Sequence, residues 1–149
     1  MNYSDQTGVK ARDDVKIQET VSAWLGAFER ALASGDETAV AALLEDDGNW
    51  RDVVAFTWHL TPCVGADDIA KGFVSRQPAV QARGFAVSPT RTSPRRVKRV
   101  GRDCIEAFFC FETKVGRGEG VLRLVPTTQD GGTADHKAWV ISTSLEALK

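Results

Sequence analysis

The chain has 149 residues, of which 42% are hydrophobic and 26% are charged, and its 19 basic side chains nearly cancel its 20 acidic ones. That length fits one domain with a sizeable core, and the balanced charge argues against general nucleic-acid or membrane binding. No segment has the apolar length of a secretory signal or a membrane span, so we expect a cytoplasmic protein.

The N-terminal residues are polar and mixed in charge, which predicts a flexible tail over residues 1–12 and a single domain over residues 13–149. Cys63, Cys104 and Cys110 are odd in number and lack metal-binding spacing. They predict buried free thiols, with neither a disulfide framework nor a zinc site.

Apolar residues between positions 13 and 33 recur at the three-and-four spacing of an amphipathic helix. Gly35 suits the C-terminal cap of that helix, and Asp36 suits the N-terminal cap of a second, short helix. Residues 65–74 return to helical spacing and predict a third helix.

The remaining segments have strand character: 49–58, 82–92, 95–101, 103–114, 117–126 and 136–145. Helices followed by a run of strands predict an α+β fold, with three N-terminal helices packed on a strongly curved antiparallel sheet. Residues 107–111 (AFFCF) are apolar on both faces of their strand. We therefore expect the second face to be covered as well, by a second copy, in a homodimer formed through the sheet.

One strand carries an acidic residue on its apolar face. Trp50, Val54, Phe56 and Trp58 alternate along residues 49–58, and Asp52 lies among them on the same side. Apolar surroundings disfavour the charged form of a carboxylate and make it a stronger base once it is ionised. Two hypotheses stay open: a general base, or a structural acid that pairs with an arginine or a backbone amide.

The order of elements, with SGDETAVAALLEDDGNWRD at its centre, resembles the cone-shaped nuclear transport factor 2-like (NTF2-like, or SnoaL-like) superfamily from about residue 13 onward. Members such as ketosteroid isomerases and polyketide cyclases hold a pocket between the helices and the concave sheet. An ungapped count from Gly35 places Asp52 at the catalytic aspartate of ketosteroid isomerases. The resemblance implies that Asp52 is the general base of an acid–base reaction.

Four segments, WRDVVAFTW, RTSPRRVKR, IEAFFCFET and GRGEGVLRLVP, resemble the domain that precedes the flavin-binding part of certain flavin-containing monooxygenases. Gly116, Gly118 and Gly120 imitate a dinucleotide-binding loop, but they lead from strand to strand, whereas that fingerprint requires a following helix. We therefore expect no flavin or nicotinamide cofactor in this chain, although a flavin monooxygenase could be its partner.

The ungapped alignment with ketosteroid isomerases places Phe28 and a position near Gly120 where those enzymes have their oxyanion donors. Neither residue can donate a hydrogen bond from its side chain. Losing such a donor typically costs about a hundredfold in rate, so steroid isomerisation by that mechanism is not expected. His59 could act as an acid or base if a bulge turned it inward; otherwise it is structural or exposed. With His136 as the second histidine, no metal-binding spacing occurs.

Aromatic residues could line an apolar ligand or simply fill the core. We name as lining candidates Trp24, Phe28, Trp50, Phe56, Trp58 and Trp139. A run of basic side chains could bind phosphate or an acidic partner, or could form a solvated strand edge. Its members are Arg91, Arg95, Arg96, Lys98, Arg99 and Arg102.

The sequence thus predicts a protein that binds an apolar small molecule and acts on it as a cofactor-independent isomerase, cyclase, dehydratase or hydrolase, with Asp52 as general base. The alternative is a non-catalytic ligand-binding or dimerisation module, related to the accessory domain of flavin-dependent monooxygenases.

Overall fold

The computed structural model describes residues 3–53, 55–56, 61–127 and 136–148, which form three helices and seven strands. The helices are α1 (Tyr3–Ser34), α2 (Glu37–Ala41) and α3 (Ala66–Val80). The strands are β1 (Leu44–Val53), β2 (Thr61–Val64), β3 (Arg83–Val87), β4 (Arg95–Arg99), β5 (Arg102–Glu112), β6 (Gly116–Pro126) and β7 (His136–Leu148). The predicted α+β fold class is confirmed, but strand β2, between β1 and α3, was not predicted.

Helix α1 begins earlier than the sequence predicted. It starts at Tyr3, so residues 3–12, which we assigned to a tail, have a helical backbone. Their polar composition carries no apolar periodicity that would reveal a helix. At the other end the prediction holds, because Gly35 follows the helix at φ +71°, the left-handed conformation that favours glycine.

The short helix α2 has the predicted cap, since Asp36 Oδ1 accepts hydrogen bonds from the backbone N–H of Thr38 at 2.9 Å and of Ala39 at 3.4 Å. Helix α3 continues to Val80, beyond the predicted end at residue 74. The error arose because residues 75–80 contain polar side chains and a proline, which obscure the apolar spacing.

The seven strands form one curved sheet in the order β2-β1-β7-β6-β5-β3, with β4 also paired to β5. All pairings are antiparallel except that of β1 with β7, which is parallel, so the predicted antiparallel sheet is a mixed one. In the parallel register Asp52 lies beside Thr143. This pairing places the first strand of the chain beside the last one.

The sheet has an inner face toward the helices and an outer face away from them. On β5 the inner face carries Ile105, Ala107, Phe109 and Phe111, which belong to the core. The intervening residues, including Glu106 and Phe108, lie on the outer face. None of the helices in the described part of the chain combines the length and the apolar composition needed to cross a lipid bilayer.

Two of the glycines that imitate a dinucleotide loop make room for aromatic rings. Gly118 pairs with Phe111 and Gly120 with Phe109 across β5 and β6. A Cβ atom at Gly118 would lie 2.2 Å from Phe111 Cζ, and one at Gly120 would lie 2.3 Å from Phe109 Cζ. The glycines are therefore explained by packing in the core.

Candidate functional site

A cluster of aromatic rings fills the space between the helices and the inner face. Trp50 and Phe73 stack with centroids 3.8 Å apart, and Trp24 and Phe28 stack at 5.1 Å. All members of this ring cluster are buried: Trp24, Phe28, Trp50, Phe56, Phe73, Phe85, Phe109 and Phe111. Their packing gives the interior of the domain an apolar, aromatic character.

Strand β1 directs Asp52 toward this ring cluster. Trp50 is 2% exposed and Asp52 is 0% exposed, whereas Arg51 between them is exposed. Alternation along a strand places Trp50 and Asp52 on the same face. The carboxylate is therefore buried on the aromatic side of the sheet, where the sequence pattern predicted it.

In the part of the chain that the structure describes, two neutral groups donate to the Asp52 carboxylate. The Thr143 hydroxyl donates to Oδ1 at 2.5 Å, and the backbone N–H of Phe56 donates to Oδ2 at 2.9 Å. The indole N–H of Trp50 in turn donates to Thr143 Oγ1 at 2.9 Å, which orients the hydroxyl. These bonds link β1, β7 and the residues after β1, and they fix the direction of the carboxylate.

The tryptophans proposed as ligand-lining residues differ in position. Trp24 and Trp50 lie in the ring cluster, and the Trp24 indole N–H donates to the Leu43 carbonyl at 3.1 Å. Trp139 instead lies against Arg102, whose guanidinium carbon is 5.0 Å from the ring centroid. A register shift between β6 and β7 pairs the residues on either side of Trp139 and leaves Trp139 without a partner.

Phe28 and Phe56, the remaining described lining candidates, also belong to the ring cluster. Phe28 packs edge-on against Phe73 and Phe85, and Phe56 packs edge-on against Trp50 and Phe73. Trp58 and His59, together with Val54, lie outside the described residues.

Sequence reasoning missed Thr143 and Phe73. Thr143 reaches Asp52 only through the parallel pairing of β1 with β7, which joins residues far apart in the chain. Phe73 lies in the segment that was predicted as the third helix, and the sequence did not indicate that its ring would stack on Trp50. Both contacts depend on tertiary structure rather than on local spacing.

No family model matches the chain, and no curated protein matches it either. Solved structures do match. An NTF2-like protein with a cystatin-like fold from Novosphingobium aromaticivorans gives a TM-score of 0.60 at 15% identity, covering 97% of this chain and 92% of the other. A ketosteroid isomerase-like protein from Erwinia carotovora atroseptica gives 0.59 at 16% identity, covering 87% and 96%.

The chain has the NTF2-like fold. A third structure, assigned as a calcium/calmodulin-dependent protein kinase type II association domain from Thiobacillus denitrificans, gives a TM-score of 0.59 at 10% identity, covering 84% of this chain and 94% of the other. Identities this low establish the fold alone. The more specific resemblance to flavin monooxygenases stays a prediction.

On the outer face of this NTF2-like sheet, a second buried carboxylate is held by charges. Glu106 is 6% exposed and forms ion pairs with Arg95 at 3.4 Å, Arg99 at 3.1 Å and Arg123 at 3.0 Å. The hydrogen bond from Arg99 is the main cause that lowers the pKa of Glu106 below its ordinary value. We call these four residues the Glu106 cluster.

The run of six cations between Arg91 and Arg102 divides into two groups. Four have their own carboxylates: Arg91 pairs with Glu119, Arg96 with Asp13, Lys98 with Asp103, and Arg102 with both Glu45 and Asp47. The other two, Arg95 and Arg99, share Glu106 with Arg123. Most of the run is therefore a charge-balanced strand edge, and excess positive charge is confined to the Glu106 cluster.

The cysteines are free, with Cys104 buried and Cys63 and Cys110 partly buried. Burial raises the pKa of the Cys104 and Cys110 thiols, which makes them poor nucleophiles. Among the described residues, no group of three or more histidine, cysteine or acidic side chains is placed to hold a metal ion.

Proposed function

We propose that the protein binds an apolar small molecule inside the cone and performs a cofactor-independent acid–base reaction on it, with Asp52 as the general base. The observation that supports this proposal is a fully buried carboxylate on the aromatic face, oriented by two neutral donors. A base in such a site meets its substrate with little competition from water.

Phe56 suggests how a ligand would reach the base. Its ring packs edge-on against Trp50 and Phe73, with centroids 5.7 Å and 4.9 Å away, while its N–H occupies Asp52 Oδ2. A planar apolar molecule that displaced Phe56 would stack in the vacated position and release that hydrogen bond. Asp52 would then accept a proton from the ligand while Thr143 continues to hold Oδ1.

Such a base could serve isomerisation, cyclisation, dehydration and epoxide opening, in which Asp52 would remove a proton from carbon beside a carbonyl, or from a hydroxyl or water, and return it to the product or to the leaving oxygen. The structural similarity to a ketosteroid isomerase-like protein supports this class. Because Phe28 and Gly120 offer no side-chain donors, the proposal does not include the ketosteroid isomerase mechanism itself.

A second candidate is a non-catalytic module that associates through the outer face, with a second copy or with a flavin monooxygenase. Phe108, Val121 and Val140 lie partly exposed near the centre of that face, and the paired charges of Glu106 and Glu119 flank them. An apolar centre with a polar rim is typical of protein interfaces. One similar structure is assigned as an association domain. A cytoplasmic location remains part of both proposals.

A turnover screen on apolar ketones, epoxides and hydroxylated terpenoids tests the first candidate. Wild type is compared with Asp52→Asn, which keeps the shape and removes the base, and with Asp103→Asn, a control at a side chain that is 86% exposed. We expect Asp52→Asn to lose about a hundredfold or more of the rate and Asp103→Asn to keep it. Ligand binding without turnover, or equal turnover by all three proteins, would favour the module.

A further inference from the structure

Three arginines from two strands converge on one carboxylate of a third. Arg95 on β4 and Arg123 on β6 are the cross-strand neighbours of Glu106 on β5, so the three residues form one row across the outer face. Arg99 reaches the same carboxylate from the end of β4, with Nε and Nη2 each 3.1 Å from a carboxylate oxygen. The row is a direct result of strand register.

Glu106 anchors these guanidinium groups in place. Its side chain is only 7% exposed, whereas those of Arg95, Arg99 and Arg123 are 52%, 37% and 27% exposed. The carboxylate therefore lies beneath the arginines, and the arginines extend from it toward solvent. Side chains fixed in this way lose less conformational entropy when they bind a ligand.

The cluster keeps unused hydrogen-bond donors and unbalanced charge. A guanidinium has five N–H donors; Arg95 uses Nη2 and Arg123 uses Nε on Glu106. Within the described residues, no other acidic side chain pairs with Arg95, Arg99 or Arg123, so three positive charges face one negative charge. The planar fork of a guanidinium matches the oxygens of carboxylate and phosphate groups.

The size of the charged area indicates the size of the ligand. The other cations of the run are balanced by their own carboxylates, so excess charge does not continue along the strand. A nucleic acid needs a longer basic surface, and the net charge of the chain is −1. A single anionic group fits the cluster better than a polyanion.

We propose that the Glu106 cluster binds an oxyanion, namely the phosphate or carboxylate group of a small molecule, on the face of the sheet opposite Asp52. The site is independent of the proposed reaction in the cone. A failure of one proposal therefore leaves the other standing.

Calorimetric titration with inorganic phosphate, at constant ionic strength adjusted with chloride, tests the proposal. Arg95→Gln removes one guanidinium whose single contact with Glu106 is long, at 3.4 Å, so the fold should survive. Lys98→Gln is the matched control, because Lys98 lies on the same strand and pairs with Asp103 instead. We expect phosphate to bind wild type and Lys98→Gln alike, and Arg95→Gln about tenfold more weakly, the usual cost of one charged hydrogen bond.

Equal binding by the two variants, or no binding by wild type, would overturn the proposal. If Arg95→Gln does not fold, Arg95→Lys keeps the charge without the fork and should also bind more weakly than wild type. Sedimentation velocity of the same samples distinguishes an anionic small molecule from a carboxylate of a second copy of the chain. A wild-type dimer that Arg95→Gln dissociates, with no response to phosphate, would assign the cluster to a carboxylate of a second copy and reject the small-molecule site.

Discussion

Among the described residues, each face of the sheet buries one carboxylate, and the donors that hold the two carboxylates differ. The described donors to Asp52 on the inner face are a hydroxyl and a backbone amide, both neutral, next to aromatic rings. Glu106 on the outer face is held by three guanidinium groups. Both acids are at least nine-tenths buried, so burial does not distinguish them.

The difference lies in the donors. Guanidinium groups stabilise the charged carboxylate strongly and make it a poor proton acceptor, which suits an anchor. A hydroxyl and an amide orient a carboxylate without cancelling its charge, which suits a base. The comparison indicates that a buried acid should be interpreted from the chemistry of its partners.

The largest expected effect is on stability, and it compares how tightly the inner and outer faces of the sheet are packed. Gly120→Ala on the inner face places a Cβ atom 2.3 Å from the Ser142 carbonyl oxygen, which cannot move away without disturbing β7. We expect the free energy of unfolding to fall by about 3 kcal/mol. Val121→Ala, next to it on the outer face, should cost less than about 1.5 kcal/mol. Urea denaturation of both variants measures the difference, and equal losses would show that the faces are packed alike.

Removing the outer carboxylate should have the next largest effect. Glu106→Gln leaves three guanidinium groups close together without their anchor. We expect a loss of about 2 kcal/mol in unfolding free energy. Glu119→Gln, which breaks the more exposed pair with Arg91, should cost less than about 1 kcal/mol. Denaturation midpoints test this ranking, and the reverse order would contradict the role of Glu106 as an anchor.

The stability of the outer face should also depend on pH. The pKa of Glu106 is lowered from an ordinary value of 4.5, chiefly by the Arg99 hydrogen bond. Its stabilising contribution is therefore complete above about pH 4.5 and is lost as the pH falls through the lowered pKa. Thermal melts of wild type and Glu106→Gln across this range should converge at acid pH. A constant difference in melting temperature between the two proteins at every pH would show that ionisation of Glu106 does not contribute to stability.

The smallest expected effect concerns the turn that joins β4 to β5. Val100 is 92% exposed and has φ +51°, a left-handed conformation that a β-branched residue adopts at a cost. Asparagine tolerates this conformation, so Val100→Asn should raise the unfolding free energy by about 0.5 to 1 kcal/mol. Val115→Asn is the control, since Val115 is exposed but does not have a positive φ. Equal effects of the two substitutions on the unfolding free energy would show that the backbone of Val100 is not strained.

Local patterns predicted the features that depend on local geometry. The alternation around Asp52 predicted its burial, and the residues Gly35 and Asp36 predicted the caps of α1 and α2. The interpretation of Gly118 and Gly120 as strand residues was also correct, although their role in receiving aromatic rings was not foreseen.

Features that join distant parts of the chain could not be predicted in this way. The parallel pairing of β1 with β7 brings Thr143 to Asp52, and strand register brings Arg123 beside the two arginines of β4. Neither contact leaves a periodic signal in a single sequence. Trp139 was proposed to line the cone because it is aromatic, but a register shift places it against Arg102.

The most direct test of the base is deuterium exchange at the carbon beside the carbonyl of apolar cyclic ketones, followed by NMR in heavy water. In this reaction a carboxylate removes a proton from the bound ligand, exchanges it for a deuteron from the solvent and returns the deuteron to the same carbon. We predict that wild-type protein accelerates the exchange of at least one such ketone about a hundredfold over Asp52→Asn. Equal exchange rates with the two proteins across the set would contradict a catalytic Asp52.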